Sequence, residues 1–417
     1  MKRLRSLLDT GRAALTFTLV TGYELVVKHG FGLRTFLVAS VAEEPPEPEL
    51  DLGYVEVLQM KLILLGRYAL RRQDLFEAWF DRVEAAMLTR LRRTPPDPED
   101  LISPLPTITV EDIDSERFHR DYVMRGRAVV IRGAVADSEA CRRWSAEFFR
   151  AYADAPVQIR DPARESEYPG TLAEVLDSVG TENRLYIYGA TNLMRDHEEL
   201  VEQLGVLDYR AHMTRRPAGY AGSQLFLGVH RQSGSGWHCA TGNNLFFMVR
   251  GRKRWTFIHP DYTWLVYPLV NKTCQTLISP MLMLMGRRYD ADYLREHFPL
   301  FEYCPRQEVT LEPGDVLFNP SWNWHDVENL TEESVAVSSR WIQPLAVSHN
   351  RLIEFFMLFS PYLNRRRFTA IRQRGFSISD ESVREVYRSM DHRVDFGRPG
   401  AFARMCERYG FDALERT

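Results

Sequence analysis

From Ile108 to Trp341 the chain is a succession of short runs rich in β-branched and aromatic residues, cut apart by Gly, Asp and Pro. The runs are Ala128–Ile131, Arg184–Tyr188, Gln224–Val229, Asn244–Val249, Arg254–Ile258, Val316–Phe318 and Val335–Trp341. Many short strands joined by polar turns can bury their apolar sides only by stacking into a sandwich or closing into a barrel. Helical stretches interrupt the pattern at Ser138–Tyr152 and Thr171–Val179.

The flanks differ. Residues 1–93 read as helical, with Leu58, Leu62, Leu65 and then Leu75, Trp79, Val83, Met87 and Leu91 recurring at the spacing of one buried helix face. Thr94-Pro95-Pro96-Asp97-Pro98, with Pro104 and Pro106 beyond, marks a linker over 94–107, because proline removes donors and restricts its predecessor. The strand-rich core then occupies 108–344. A helical tail fills 345–417, with Leu352, Phe355, Phe356 and Phe359 on one side and a solvated basic cluster at Arg365-Arg366-Arg367.

A 417-residue chain with 45% hydrophobic and 26% charged residues has the balance of a soluble globular protein. A net charge of −3 gives no electrostatic reason to expect nucleic acid as a partner. The apolar stretch Ala13–Val27 carries Thr16, Thr18, Thr21, Gly22 and Glu24, which reads as an amphipathic helix packed on the protein rather than a leader or a membrane span. Five scattered cysteines without a CxxC pair indicate neither a disulfide framework nor a structural zinc site, and point to a cytoplasmic setting.

Two segments carry the chemistry. In the first, Gly234-Ser-Gly-Trp-His238-Cys-Ala-Thr-Gly-Asn-Asn244, a loop delivers a histidine, a strand follows, a tight turn falls at Arg250-Gly251-Arg252, and a second strand ends at Pro260. The second, Pro313-Gly314-Asp315-Val-Leu-Phe-Asn-Pro320-Ser-Trp-Asn-Trp-His325-Asp-Val-Glu-Asn329, turns, runs as a strand and meets another histidine. Histidines 87 residues apart share a metal only if the fold joins them, as a barrel does. His230, His259 and His297 lie outside any such pattern and read as ordinary hydrogen-bonded histidines. Lys253 is conspicuous in a chain with only five lysines.

Together these segments resemble the JmjC-like or cupin-8 branch of iron(II)- and 2-oxoglutarate-dependent oxygenases, over residues 108–344. The resemblance implies a mostly β fold, a double-stranded β-helix (cupin or jelly-roll) barrel with a helical N-terminal region and a helical C-terminal tail that supports a homodimer. It implies Fe(II) on His238 and His325, with 2-oxoglutarate and O2 as co-substrates. Lys253 matches the family's lysine that pairs with the distal carboxylate of 2-oxoglutarate. Ser235, Asn244, Tyr188 and Arg340 fall near positions that help hold the co-substrate in relatives. Substrates in the family range over small molecules, amino acids and protein side chains.

Ala240 departs from the pattern, because the family's carboxylate ligand stands two residues after the first histidine and a methyl group cannot coordinate a metal. Three readings follow. Chloride fills the gap, as in the iron and 2-oxoglutarate halogenases that the substitution resembles. Alternatively, the protein is a hydroxylase whose two-histidine site is completed by water or by Cys239, Asp326 or Glu328, although Cys239 should point away from His238 because successive strand side chains alternate. In the third, the barrel is a non-catalytic scaffold. Trp237, Trp322 and Trp324 flank the histidines and either wall a pocket or pack the barrel.

Overall fold

The computed structural model of the chain describes residues 8–22, 36–37, 48–72, 74–161, 166–179, 181, 185–205, 219–229, 231, 234–271, 276–283, 290–342, 351–374 and 408–409. Its strands are β1 (Ile102–Pro104), β2 (Thr107–Thr109), β3 (Val129–Arg132), β4 (Pro156–Asp161), β5 (Ser166–Thr171), β6 (Tyr186–Ala190), β7 (Gly219–Gly228) and β8 (Gly234–Ala240). They continue with β9 (Asn243–Arg250), β10 (Lys253–Ile258), β11 (Leu269–Val270), β12 (Thr276–Ile278), β13 (Arg306–Leu311), β14 (Val316–Asn319), β15 (Trp324–Asn329) and β16 (Ser334–Ile342).

They form two sheets, a seven-stranded one in the order β1-β13-β10-β15-β8-β12-β11 and a nine-stranded one in the order β2-β3-β14-β9-β16-β7-β6-β4-β5. Strands β7 to β10 alternate between the sheets, and β13 to β16 do so again, with antiparallel pairing throughout these eight. That double winding is a double-stranded β-helix, the jelly-roll expected of cupins. His238 and His325 both lie within strands, so the loop expected at the first histidine is instead the start of an antiparallel ladder.

Each sheet is buried on both faces. Val130, Phe226, Phe246, Met248 and Leu317 of the larger sheet meet Trp255, Phe257, Leu311 and Val327 of the smaller one in the barrel interior. Leu245, Phe247 and Val249 turn the other way, into a core roofed by short helices. A strand buried on both sides needs apolar residues at every position, which is why 245–249 reads as an unbroken apolar run.

The outer face of the smaller sheet is covered from the N-terminal region. Helix α1 spans residues 8–22; α2 (Tyr54–Leu70) and α3 (Glu77–Arg93) follow. Met60, Ile63, Leu64 and Tyr68 of α2 and Phe80, Val83, Met87 and Leu91 of α3 share one core with Trp264, Leu265 and Tyr267. The buried Arg67 guanidinium donates to the Pro268 carbonyl at 2.7 Å, and the Tyr267 hydroxyl donates to Glu84 at 2.6 Å.

Three helical expectations are revised. The face α2 buries runs through Val57, Met60, Ile63, Leu64 and Tyr68 rather than Leu58, Leu62 and Leu65, and Leu62 and Leu75 are exposed. Ser138–Tyr152 splits into Glu139–Arg143 and a 3-10 turn Phe148–Tyr152, because Trp144 turns extended and buries itself against Phe149. In the C-terminal helix Arg351–Leu358, Leu352, Phe355 and Phe356 are buried, but Phe359 falls past the helix end and is 43% exposed. Among the described residues no helix is long and apolar enough to cross a membrane.

Candidate metal centre

His238 and His325 are direct cross-strand partners on β8 and β15, with ring centroids 4.3 Å apart. The His238 Nδ1 is 2.8 Å from the Gly236 carbonyl and the His325 Nδ1 is 2.9 Å from the Asn323 carbonyl. A carbonyl only accepts, so each Nδ1 carries a proton, and in the neutral form of each ring the lone pair lies on Nε2, the tautomer a metal ligand needs. Burial, the neighbouring His238 and the charge of Arg340 hold the pKa of His325 well below the ordinary histidine value, so this ring is neutral.

The two histidines sit beside corners where the chain crosses between sheets, and the corners are stitched together. Asn243, at the start of β9, accepts from the Ser321 amide at 3.1 Å and its hydroxyl at 3.2 Å. The Trp322 amide donates to the Ala240 carbonyl at 2.9 Å, with Trp322 itself in the left-handed region at φ 63°. A bulky residue there is strained, and the stitched corner holds it.

Ala240 follows His238 on the same strand face. Cys239 between them is fully buried in the outer core with its cross-strand neighbour Leu277, as alternation requires. Asp326 and Glu328 alternate away from His325 in the same manner, Glu328 pairing with Arg254. None of the three expected substitutes for the missing carboxylate therefore faces the histidines. Among the described residues no group of three or more His, Cys, Asp or Glu side chains could hold a metal. Trp237, Trp322 and Trp324 also belong to the outer core and do not wall the interior.

Four of the remaining expected residues, Lys253, Asn244, Arg340 and Ser235, line the barrel. Lys253 is 1% exposed, donates to Asn329 and, at 3.3 Å, to Ser334, and lies 5.6 Å from the Tyr186 ring centroid. Burial lowers its pKa to about 7, and no carboxylate among the described residues forms an ion pair with it. Asn244 accepts from the Ser338 hydroxyl at 2.7 Å, and Arg340, its cross-strand partner, donates to Gln224 at 3.1 Å. A register shift between His325 and Val327 pairs Ser235 with Val327, an interior residue, so Ser235 faces inward although it stands three positions before His238, where strict alternation would turn it outward. The backbone of Tyr188 pairs with Phe226, and its side chain lies outside the described residues. His230 likewise lies outside them, while His259 caps a 3-10 turn and His297 ends a short helix.

Two further residues reach the site. Trp255 stacks on His325 from inside the barrel, and Asn319 places its amide nitrogen 3.4 Å from His325 Nε2. Asn319 shows in the sequence only as a polar residue ending the apolar run Val316–Phe318, and Trp255 is indistinguishable there from packing.

The donor set suits a borderline divalent ion such as Fe(II): two neutral imidazoles aimed from one rim. A buried ammonium farther down the same interior suits the distal end of a dicarboxylate. His238 and His325 would hold the metal, and Lys253 the anion.

Winding and histidine placement thus define a cupin-type barrel with a two-histidine rim. The chain belongs to the cupin-like domain family, whose model matches residues 115–345, more than half of its length. It is 37% identical to HSPB1-associated protein 1 of Rattus norvegicus over 102 residues, 24% of this chain and 20% of that protein. With lysine-specific demethylase 8 of Danio rerio it shares 26% identity over 246 residues, 54% of this chain and 56% of that protein. Arginine-specific demethylase JMJ20 of Arabidopsis thaliana is 30% identical over 102 residues, 24% of this chain and 19% of that protein. The chain thus spans about a fifth of the first relative's length and just over half of the second's.

Proposed function

We propose that the chain is an iron(II)- and 2-oxoglutarate-dependent oxygenase that inserts oxygen into a C–H bond of an amino-acid or protein side chain. The observation that carries this reading is Lys253. An ammonium buried to 1% exposure, with only the neutral Asn329 and Ser334 as hydrogen-bond acceptors among the described residues, is costly unless an anion enters beside it. It shares the barrel interior with two histidines whose lone pairs sit on Nε2. A metal next to a dicarboxylate is the combination that satisfies both.

When bound, the iron would supply oxygen activation, in the overall reaction R–H + 2-oxoglutarate + O2 → R–OH + succinate + CO2. The protein's part is to orient and enclose. Backbone carbonyls fix the imidazole tautomers, Lys253 anchors the far end of the co-substrate, and Ser235, Asn244 and Arg340 bring donors to the inner wall. The relatives named for lysine and arginine demethylation make side chains of those residues, methylated or not, the first substrates to offer.

Halide transfer is the competing outcome, motivated by Ala240 alone. Both readings are separated by one assay: anaerobic loading with Fe(II) and 2-oxoglutarate, then oxygen with and without chloride, following succinate and the mass of a peptide substrate. Succinate together with a product heavier by one oxygen is expected in either buffer. A chlorinated product would establish the halogenase, and absence of both 2-oxoglutarate binding and succinate would leave the barrel a scaffold.

A further inference from the structure

The methyl group of Ala240 leaves a two-histidine site short of a third protein donor, and the expected replacements face the wrong way. Asn319 does not. It ends β14 in the larger sheet, and the turn Pro320–Asn323 brings the chain across to His325 on β15 in the smaller one. Its neighbour two residues earlier, Leu317, is an interior residue, so alternation turns Asn319 inward as well.

Its carboxamide is 3% exposed and rests beside the His325 ring, with Nδ2 at 3.4 Å from Nε2 and 3.5 Å from Nδ1. The carbonyl oxygen, Oδ1, is buried with no hydrogen-bond partner among the described residues. An unsatisfied buried acceptor is destabilising, and native structures keep few of them without a use. Nearby Asn244 shows the contrast, since its own Oδ1 accepts from Ser338.

We infer that Asn319 replaces the missing carboxylate, donating Oδ1 to the metal held by His238 and His325. The inference rests on the metal-binding reading above. Nδ2 is nearly equidistant from the two ring nitrogens, so the carboxamide lies over the face of the ring, and a rotation of the short side chain would carry Oδ1 from there to the lone-pair side of Nε2. A neutral amide in place of a carboxylate leaves the metal one positive charge richer, which weakens intrinsic affinity and strengthens attraction for an anionic co-substrate.

Co(II) binding to the full chain tests this without turnover. Calorimetry gives the affinity, and the visible absorption of Co(II) reports its ligands. Wild type should bind Co(II), Asn319→Val should lose at least tenfold in affinity with a changed spectrum, and Asn319→Asp should bind more tightly. A crystal structure of the Co(II) complex should place the Asn319 oxygen within about 2.2 Å of the ion. If Asn319→Val binds like wild type with an unchanged spectrum, Asn319 is no ligand and the oxygenase reading stands. If wild type binds no Co(II), both fall. Should Asn319→Val fail to fold, Asn319→Asp decides: tighter binding with a shifted spectrum supports ligation, and wild-type behaviour overturns it.

Discussion

Trp255 lies stacked on His325, ring centroids 5.2 Å apart and planes 19° from parallel. It is two residues along β10 from Lys253 on the same inward face, so the indole occupies the stretch of barrel between ammonium and metal site. Its Nε1 is buried without an acceptor among the described residues. An N–H stranded between the groups proposed to hold anion and metal is placed to donate to an oxygen of a dicarboxylate bound there. Trp255→Phe keeps the stacked ring and removes that donor. Affinity for 2-oxoglutarate in the presence of Co(II) should fall several-fold by calorimetry, with Co(II) affinity unchanged; an equal loss of Co(II) affinity would assign Trp255 to holding His325 instead.

Lys253 gives a prediction in pH. Burial lowers its pKa from the ordinary 10.5 to about 7, so between these values the unfolded chain binds more protons than the folded one. Stability of the ligand-free protein therefore rises with pH across that window and is insensitive to this group below it. A carboxylate beside the amine reverses the preference, because it favours the ammonium. Binding of 2-oxoglutarate at about pH 8.5 should take up a proton, seen as a dependence of the calorimetric heat on the buffer's ionisation enthalpy. Lys253→Met should abolish the uptake and weaken binding tenfold or more, since a charge-assisted hydrogen bond contributes about 1.5–3 kcal/mol.

Ala240→Asp restores the carboxylate two residues after His238, on the strand face His238 itself uses. A third, anionic donor should tighten Co(II) binding by at least about tenfold, or 1.4 kcal/mol. Combined with Asn319→Val, it should recover the affinity that Asn319→Val alone loses. Unchanged affinity in Ala240→Asp would place residue 240 out of reach of the metal.

Which parts of this site were legible depended on how each residue signals itself. His238, His325 and Lys253 stand inside long patterns of turn and strand residues, and the turns at Gly251 and Gly314 fall where those patterns put them, both at positive φ. Asp315 of the second turn proves structural, accepting from Arg132, from the Gly133 amide at 3.0 Å and from the Glu312 amide at 2.9 Å. Strand alternation correctly sends Cys239 to the face opposite His238. The same rule would have turned Ser235 outward, because a bulge leaves no mark in the order of residues. Asn319 and His325 belong to different sheets, and their meeting follows from the corner between them. Strand β13 carries no strand signature in the sequence because Arg306, Gln307, Glu308 and Thr310 dilute Val309 and Leu311, although it pairs on both sides, with β1 and β10.

The bulge that turns Ser235 inward depends on Gly234. That residue has φ 150°, and a Cβ there would stand 1.9 Å from the Val327 carbonyl oxygen and 2.8 Å from its carbon. Both are backbone atoms of a paired strand, so neither yields as a flexible side chain would. Gly234→Ala should cost about 3 kcal/mol or more in urea denaturation. Any folded fraction should bind 2-oxoglutarate weakly, because regularising β8 rotates Ser235 out of the interior. Wild-type stability in this variant would show that the bulge is not built on the glycine.

The N-terminal helices are the last structural commitment, since the nine buried side chains that α2 and α3 contribute to the outer core lie over the sheet that carries both histidines. Full burial of such a side chain contributes about 1.5–3 kcal/mol, so their sum is of the order of the whole stability of a domain, about 5–15 kcal/mol. Removing residues 1–93 would uncover Trp264, Leu265 and Tyr267 and leave the Pro268 carbonyl without the Arg67 hydrogen bond. The truncated chain should therefore be recovered as aggregate rather than as a soluble barrel. A gentler test is Met87→Ala, at a position with 0% exposure, which should cost about 2–5 kcal/mol. If the truncated chain instead gives soluble protein that binds Co(II) like wild type, the barrel folds without its helical cover, and the helices act on something other than stability.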